Sequence, residues 1–544
     1  MRKYFKTISQ WIIDLFLSLR KEMHLSYLPP LMVYMAAGIS GLSAIVGTFF
    51  VKEYLGLSAE FLAALGFWVN IPWALKMPVG HVVDLIWRYK SGLVFLGALL
   101  IAASLLIMVF LISDREAMAN IMPVGTWFVL SSLLAPIGFV IQDTVADAMT
   151  VDAVPHFDQE GNKFDQNKIK LMHTTMQTLG RAAIIGGGVL VALVNLYLFR
   201  DVDQLSEIAK ANTYKNVYII SLAIPIISVM GIILAAFIKH RDKRRLLARG
   251  LSKEEIKSRQ AEVLGETKPN WWILGGSFVF VLFTLGMGFS QYTYNQEVIF
   301  LGSFAIVSFL IFKLTRELTP EARSTLVGTA IIIFVFRALP TPGPGMTWWM
   351  IDDLKFDQQF FSVLTLIGSM LTFAGIFIFR RFMADHSIVY VVGVLTILGT
   401  ILSLPYLGLF YGLHEWTSAM TGGLIDAKFI ALVNTALESP LGQIAMIPML
   451  AWIANSAPAN LKATFFAVMA SFTNLALSLS QLGTKYLNQI YTVTREVKEP
   501  ATGILQTAAN YSELGTLIII SIILGLALPF IAIFLVRISG LRWA

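Results

Sequence analysis

The chain has 544 residues, of which 56% are hydrophobic and 14% charged, where a soluble domain carries about 25% charged residues. A surface this apolar has lipid as its solvent, which excludes a water-soluble enzyme or a string of globular domains. The net charge of +7 and pI of 9.3 do not point to nucleic acid, because the basic residues fall in short segments between apolar runs. The absence of cysteine excludes disulfides, thiolate metal sites and a cysteine nucleophile.

Residues 1–27 open the chain with the apolar pieces Trp11–Ile13 and Leu15–Leu17, interrupted by Asp14 and followed by Arg20 and Lys21. This reads as an amphipathic helix lying on the cytoplasmic surface, not as a cleaved signal. Runs long enough to span a bilayer follow near 28–50, 59–82, 92–113, 123–148, 170–198 and 215–238. A basic linker at 239–270 includes Lys239 to Arg245. Two more runs lie near 271–293 and 297–314, within a segment 271–323 read as an extra helical hairpin. Six further runs lie near 324–340, 360–379, 387–411, 425–454, 463–488 and 513–537, before a short tail at 539–544. The total is about 14 spans of about 20 residues each. With the N-terminus inside, cytoplasmic segments hold about 27 of the 41 Lys and Arg and external loops about 8, which predicts cytoplasmic N- and C-termini. Two six-helix halves, 28–238 and 324–538, joined by a cytoplasmic linker, predict an all-α polytopic carrier with its solute site between the halves.

The loop after the second run reads Gly80-His-Val-Val-Asp84-Leu-Ile-Trp-Arg88-Tyr-Lys90. It resembles the Gly-x-x-x-Asp-x-x-x-Arg-x-Lys loop of the major facilitator superfamily. Gly80 would allow close helix approach, and Asp84 would pair with Arg88, Lys90 or a helix end of the other half, latching one conformation. The bland alternative is ordinary positive-inside anchoring. The matching place in the second half, Arg380-Arg381-Phe-Met-Ala-Asp385, is degenerate. Just before the loop, Pro72-Trp73-Ala-Leu-Lys76-Met-Pro78-Val-Gly80 resembles the Pro-Trp-x-x-Lys-Pro-x-x-Gly signature of the folate–biopterin transporter family, with the second proline one place later. Gln142-Asp143-Thr-Val-Ala-Asp147-Ala and Leu339-Pro340-Thr-Pro-Gly are also similar to that family. So is Lys462-Ala-Thr464-Phe-Phe-Ala467-Val-Met-Ala-Ser471-Phe-Thr-Asn474, although Lys462 stands where an acid is usual. The muropeptide permeases share the Gln-Asp element.

Ionisable groups inside a bilayer cost at least ~2.5–3.5 kcal/mol each, so each calls for a partner or a task. Asp143 and Asp147 are four apart and share one helix face. They are candidates for proton coupling, or else are solvated at the cytoplasmic end or paired with Arg181. Glu438, in the tenth run of the two halves, is a third proton candidate or a partner for Lys428. Lys76, Arg181 and Arg337 are candidate cations for a substrate carboxylate, and Trp73 a candidate stacking ring. Gly186-Gly187-Gly188 is a helix-packing element. Trp348-Trp349, just past the seventh run of the halves, reads as part of the interfacial belt. The histidines show no metal-ligand spacing and no phosphate-binding loop occurs, so neither a metal nor another cofactor is expected.

The resemblance implies a secondary transporter, proton-coupled, for folate- or pteridine-like organic anions in a bacterial inner (cell) membrane. Its partners would be a small anionic or heteroaromatic solute, protons and lipid, with the oligomeric state open. The alternatives are another solute (S-adenosylmethionine, a muropeptide or another anion), or a non-transporting receptor or assembly factor on a carrier fold.

Overall fold

The structure is a computed structural model. It describes residues 24–544 except 55–56, 75, 87–88, 156–163, 201, 249–251, 253–254, 256–270, 289, 291, 317, 380–381, 383–385, 443, 445–461, 499–504 and 544. The N-terminal amphipathic segment up to residue 23, most of the basic linker, Arg88 and most of the 380–385 loop therefore lie outside the described residues.

The first run is two helices, α1 (Leu28–Ile39) and α2 (Ala44–Tyr54), joined by a tighter turn at Ser40–Ser43. The second is α3 (Ala59–Ala74) and α4 (Lys76–Leu85). Next come α5 (Lys90–Ser113), the short α6 (Arg115–Ile121), α7 (Val124–Ala153) and α8 (Gln166–Leu198). The sixth run is α9 (Glu207–Ser221) and α10 (Ala223–Ala248). The sequence places Lys239 to Arg245 in a linker; in the structure they continue α10, because nothing between Ala223 and Ala248 breaks a helix once Pro225 is passed in its first turn.

The hairpin is α11 (Trp271–Gly288) and α12 (Asn295–Thr315). The remaining helices are α13 (Pro320–Arg337), α14 (Pro344–Asp352), α15 (Gln358–Ile378), α16 (Ile388–Phe410), α17 (Leu413–Thr421), α18 (Ala427–Glu438), α19 (Lys462–Ile490) and α20 (Leu514–Ile538). A small antiparallel pair, β1 (Val497–Lys498) and β2 (Leu505–Thr507), lies between the last two. Among the described residues nine helices are long and apolar enough to cross a membrane. The remaining predicted runs include α18, which stops at Glu438 shortly before residues outside the described set, and α19, which carries a polar stripe.

That stripe has a structural task. α13 ends at Arg337, and prolines at 340, 342 and 344 prevent it from continuing. Backbone groups freed inside a membrane must find partners within the protein. The Ser480 hydroxyl donates to the Leu339 carbonyl (2.6 Å), the Thr341 amide donates to Thr484 Oγ1 (3.0 Å), and Asn488 Nδ2 donates to the Pro342 carbonyl (3.2 Å). The three side chains are four apart and so share one face of α19.

Glycines bring α1 against α8. A Cβ on Gly38 would stand 2.1 Å from the Ile184 carbonyl oxygen, and one on Gly187 would stand 2.8 Å from Gly38 Cα. Both obstacles are backbone, so Gly38→Ala should force the helices apart. Overpacking of this kind costs about 1–3 kcal/mol. A melting temperature lower by several degrees in detergent is the expected result, and an unchanged one would contradict this packing. Gly80 differs from expectation. A Cβ there would meet Thr144 Cγ2 at 3.7 Å, ordinary contact distance, so close approach does not require that glycine.

Trp348 and Trp349 are 2% and 3% exposed and pack in a core with Phe356, Phe360 and Leu514. They are therefore not interfacial-belt residues: α14 turns back into the bundle after the proline break and buries them.

Candidate functional site

The predicted charges of the first half converge on one cluster. Lys76, which opens α4, places its Nζ 2.6 Å from Asp143 Oδ2 and 2.7 Å from Asp147 Oδ2 on α7. The i, i+4 spacing of the two carboxylates presents both to the same cation. The Tyr34 hydroxyl of α1 donates to Asp147 Oδ1 at 2.5 Å. The tyrosine ring is in turn seated on Gly180 of α8, where a Cβ would come within 2.9 Å of it. Arg181 follows directly on the same helix. It adds its field to Asp143 and Tyr34 but makes no hydrogen bond or ion pair among the described residues.

The alternative pairing of the aspartates with Arg181 is thus taken by Lys76, and Lys76 is not a free cation. The two carboxylates also differ: the Asp143 side chain is 14% exposed and that of Asp147 is 41% exposed. Tyr34 is the residue that sequence reasoning missed; its only signal is a hydroxyl inside an otherwise apolar helix. Gln142, beside Asp143, is a packing residue. Its amide donates to the Val94 carbonyl (3.1 Å) and accepts from the Ser228 hydroxyl (2.9 Å), tying α7 to α5 and α10.

In the second half, Arg337 ends α13 directly before the proline break, half-buried and without a hydrogen bond or ion pair among the described residues. Glu438 and Lys428 stand at opposite ends of α18, about 15 Å apart along its axis, so neither neutralises the other. Lys428 instead lies over the Phe360 ring, and Asn434 donates to Glu438 at 3.4 Å. Of the predicted latch, Arg88 and the Asp84 side chain lie outside the described residues, while Lys90 is buried at the start of α5. Among the described residues no group of acidic and histidine side chains could hold a metal.

Three hydrogen bonds join the two halves at the end of the bundle opposite the chain termini. There Arg495 Nη1 donates to the Val51 carbonyl, Gln489 to Glu60 (2.5 Å) and Gln358 to the Tyr214 hydroxyl (2.6 Å). Nearer the charge cluster, Asn474 Nδ2 of α19 donates to the Trp73 carbonyl (3.2 Å). The Trp73 ring is half-buried at that seam.

Solved carriers share this arrangement. A peptide transporter POT in complex with sulfate aligns over 96% of both chains with a TM-score of 0.54 at 16% identity. A nucleoside transporter, NupG, aligns over 94% of this chain and 99% of its own with a TM-score of 0.52 at 11% identity. The fold is that of the major facilitators. A folate-biopterin transporter of Synechocystis sp. is 21% identical over 454 residues, covering 83% of this chain and 72% of the relative. The BT1 family profile matches residues 37–540. The chain is an integral membrane transporter of small solutes, not an enzyme, and it belongs to the BT1 family.

Proposed function

We propose that this transporter carries folate- or pteridine-like organic anions together with protons, by alternating access between its two halves. The observation that carries the reading is Lys76 held between Asp143 and Asp147, with Arg181 beside them and without a hydrogen bond or ion pair among the described residues. With all four charged, the cluster is neutral. A proton arriving on Asp147, the more exposed carboxylate, leaves one positive charge in excess. That excess draws an anion onto Arg181, whose guanidinium forks onto two carboxylate oxygens. Because coupling is reciprocal, a bound anion also favours the proton. Solute and proton therefore load together and leave together.

Arg337 reaches the solute from the second half, and Trp73 supplies a face for its ring. Lys76 leaves the set of substrate cations and becomes the spring that holds the empty cluster neutral. Glu438 makes no ion pair among the described residues, and the coupling proton is assigned to Asp143 and Asp147, the two carboxylates that share Lys76. Asp84, Arg88 and Lys90, at and around the connection from α4 to α5, are kept as the proposed latch, with the chain termini and this connection in the cytoplasm. The folate-biopterin transporter among the relatives supports the solute class.

Reconstituted protein should take up labelled biopterin or folate several-fold above empty liposomes when the lumen is more alkaline, and a protonophore should abolish the difference. Failure of every pterin at every gradient would overturn the solute class. Uptake indifferent to the protonophore would overturn the coupling.

A further inference from the structure

A second polar site lies at the seam, at the end of the bundle opposite the termini. A cavity of about 220 Å³ is lined from the first half by Ser58 and Glu60, and from the second by Trp348, Asn488, Thr494 and Arg495. Arg495 is 3% exposed. Its Nη1 donates to the Val51 carbonyl and its guanidinium lies 5.0 Å from the Trp348 ring centre. Burial pulls this guanidinium down to about 10, against the opposing pull of Tyr511 and Asp352, so it stays charged at neutral pH. Its Nη2 is buried and has no partner among the described residues. Asn488 also lines the cavity. Its amide nitrogen is engaged by the Thr484 (2.9 Å) and Pro342 (3.2 Å) carbonyls, which fixes the side chain and leaves Oδ1 buried and unpartnered. Two residues that line one cavity thus each carry a buried polar atom with no partner among the described residues, where most buried polar atoms are satisfied. Together they describe the complement of a ligand.

We propose that this cavity captures solute at the outer face through an oxygen acceptor set next to an N–H donor, as in the edge of a lactam ring. The oxygen accepts from Arg495 Nη2, the ring N–H donates to Asn488 Oδ1, and a neighbouring amino group donates to Glu60. The Glu60 carboxylate disfavours a plain inorganic anion. The cavity suits one ring system, not a whole folate. An aminopteridine has this edge, and its identity as the transported solute rests on the reading above.

The test uses the full chain in lipid nanodiscs and equilibrium dialysis with labelled biopterin. The background is Arg181→Gln with Arg337→Gln, which removes the central cations. Saturable biopterin binding is expected in that background, weakened at least tenfold by Arg495→Gln and by Glu60→Gln. Lumazine, which carries an oxygen in place of the amino group of pterin, should bind more weakly than pterin, and Glu60→Gln should erase the difference. Retained binding in a background that transports no pterin supports the site independently of the transport reading. Absence of saturable binding, or binding by the Arg495→Gln and Glu60→Gln proteins as strong as in the background, overturns it. Should Arg495→Gln fail to fold, the Glu60→Gln and lumazine comparisons decide alone.

Discussion

Lys76→Met should abolish uptake and destabilise the protein. Removing one partner of a buried ion pair leaves the other charge uncompensated, at a cost of about 3–5 kcal/mol. Here most of that cost falls on Asp143, whose side chain is 14% exposed, because water screens the 41%-exposed Asp147. A lower melting temperature in detergent and loss of gradient-driven uptake are the measurements. Adding Asp143→Asn to Lys76→Met should recover much of the stability, since it removes the stranded charge, but none of the coupled uptake. Wild-type transport by the single variant would remove the cluster from the mechanism.

Arg337→Gln should leave the fold intact and weaken solute binding. An arginine that makes no ion pair among the described residues of the empty protein contributes little to its stability. If it forks onto the solute's carboxylate, its loss costs about 2–5 kcal/mol of binding, which is roughly 30-fold or more in apparent affinity. Arg337→Lys should fall between, because an ammonium keeps the charge and loses the planar fork. Initial uptake rates against solute concentration would show a raised KM with unchanged melting temperature. An unchanged KM in Arg337→Gln would exclude contact with the solute.

The spans were legible because lipid imposes length and composition. The run read at 92–113 is Lys90–Ser113 and the run at 513–537 is Leu514–Ile538. Half of the charge cluster was legible too, since Asp143 and Asp147 lie one turn apart. Which cation they take was not, because Lys76 and Asp143 are 67 residues apart and Arg181 is equally apolar in its surroundings. Trp348 and Trp349 misled for a related reason: the end of a span looks the same whether the chain leaves the membrane or folds back beneath its own helices. Arg495 gave no signal at all. It reads as a loop charge until the two halves close around it.

The central hairpin limits how those halves can move. At the start of α12, adjacent residues hold different partners. Gln296 donates to the Ala64 carbonyl of α3 (3.1 Å), while Glu297 accepts from Lys485 (3.1 Å) and Tyr486 (2.5 Å) of α19. Neighbours on one rigid helix cannot part, so while both attachments hold, α3 and α19 keep a fixed separation at that level. A pair of levers pinned at one point can still rotate about the pin. In the proposed rocking motion the hairpin would then be the pivot, where displacement is smallest, with the larger excursions at the flank where α8 meets α15.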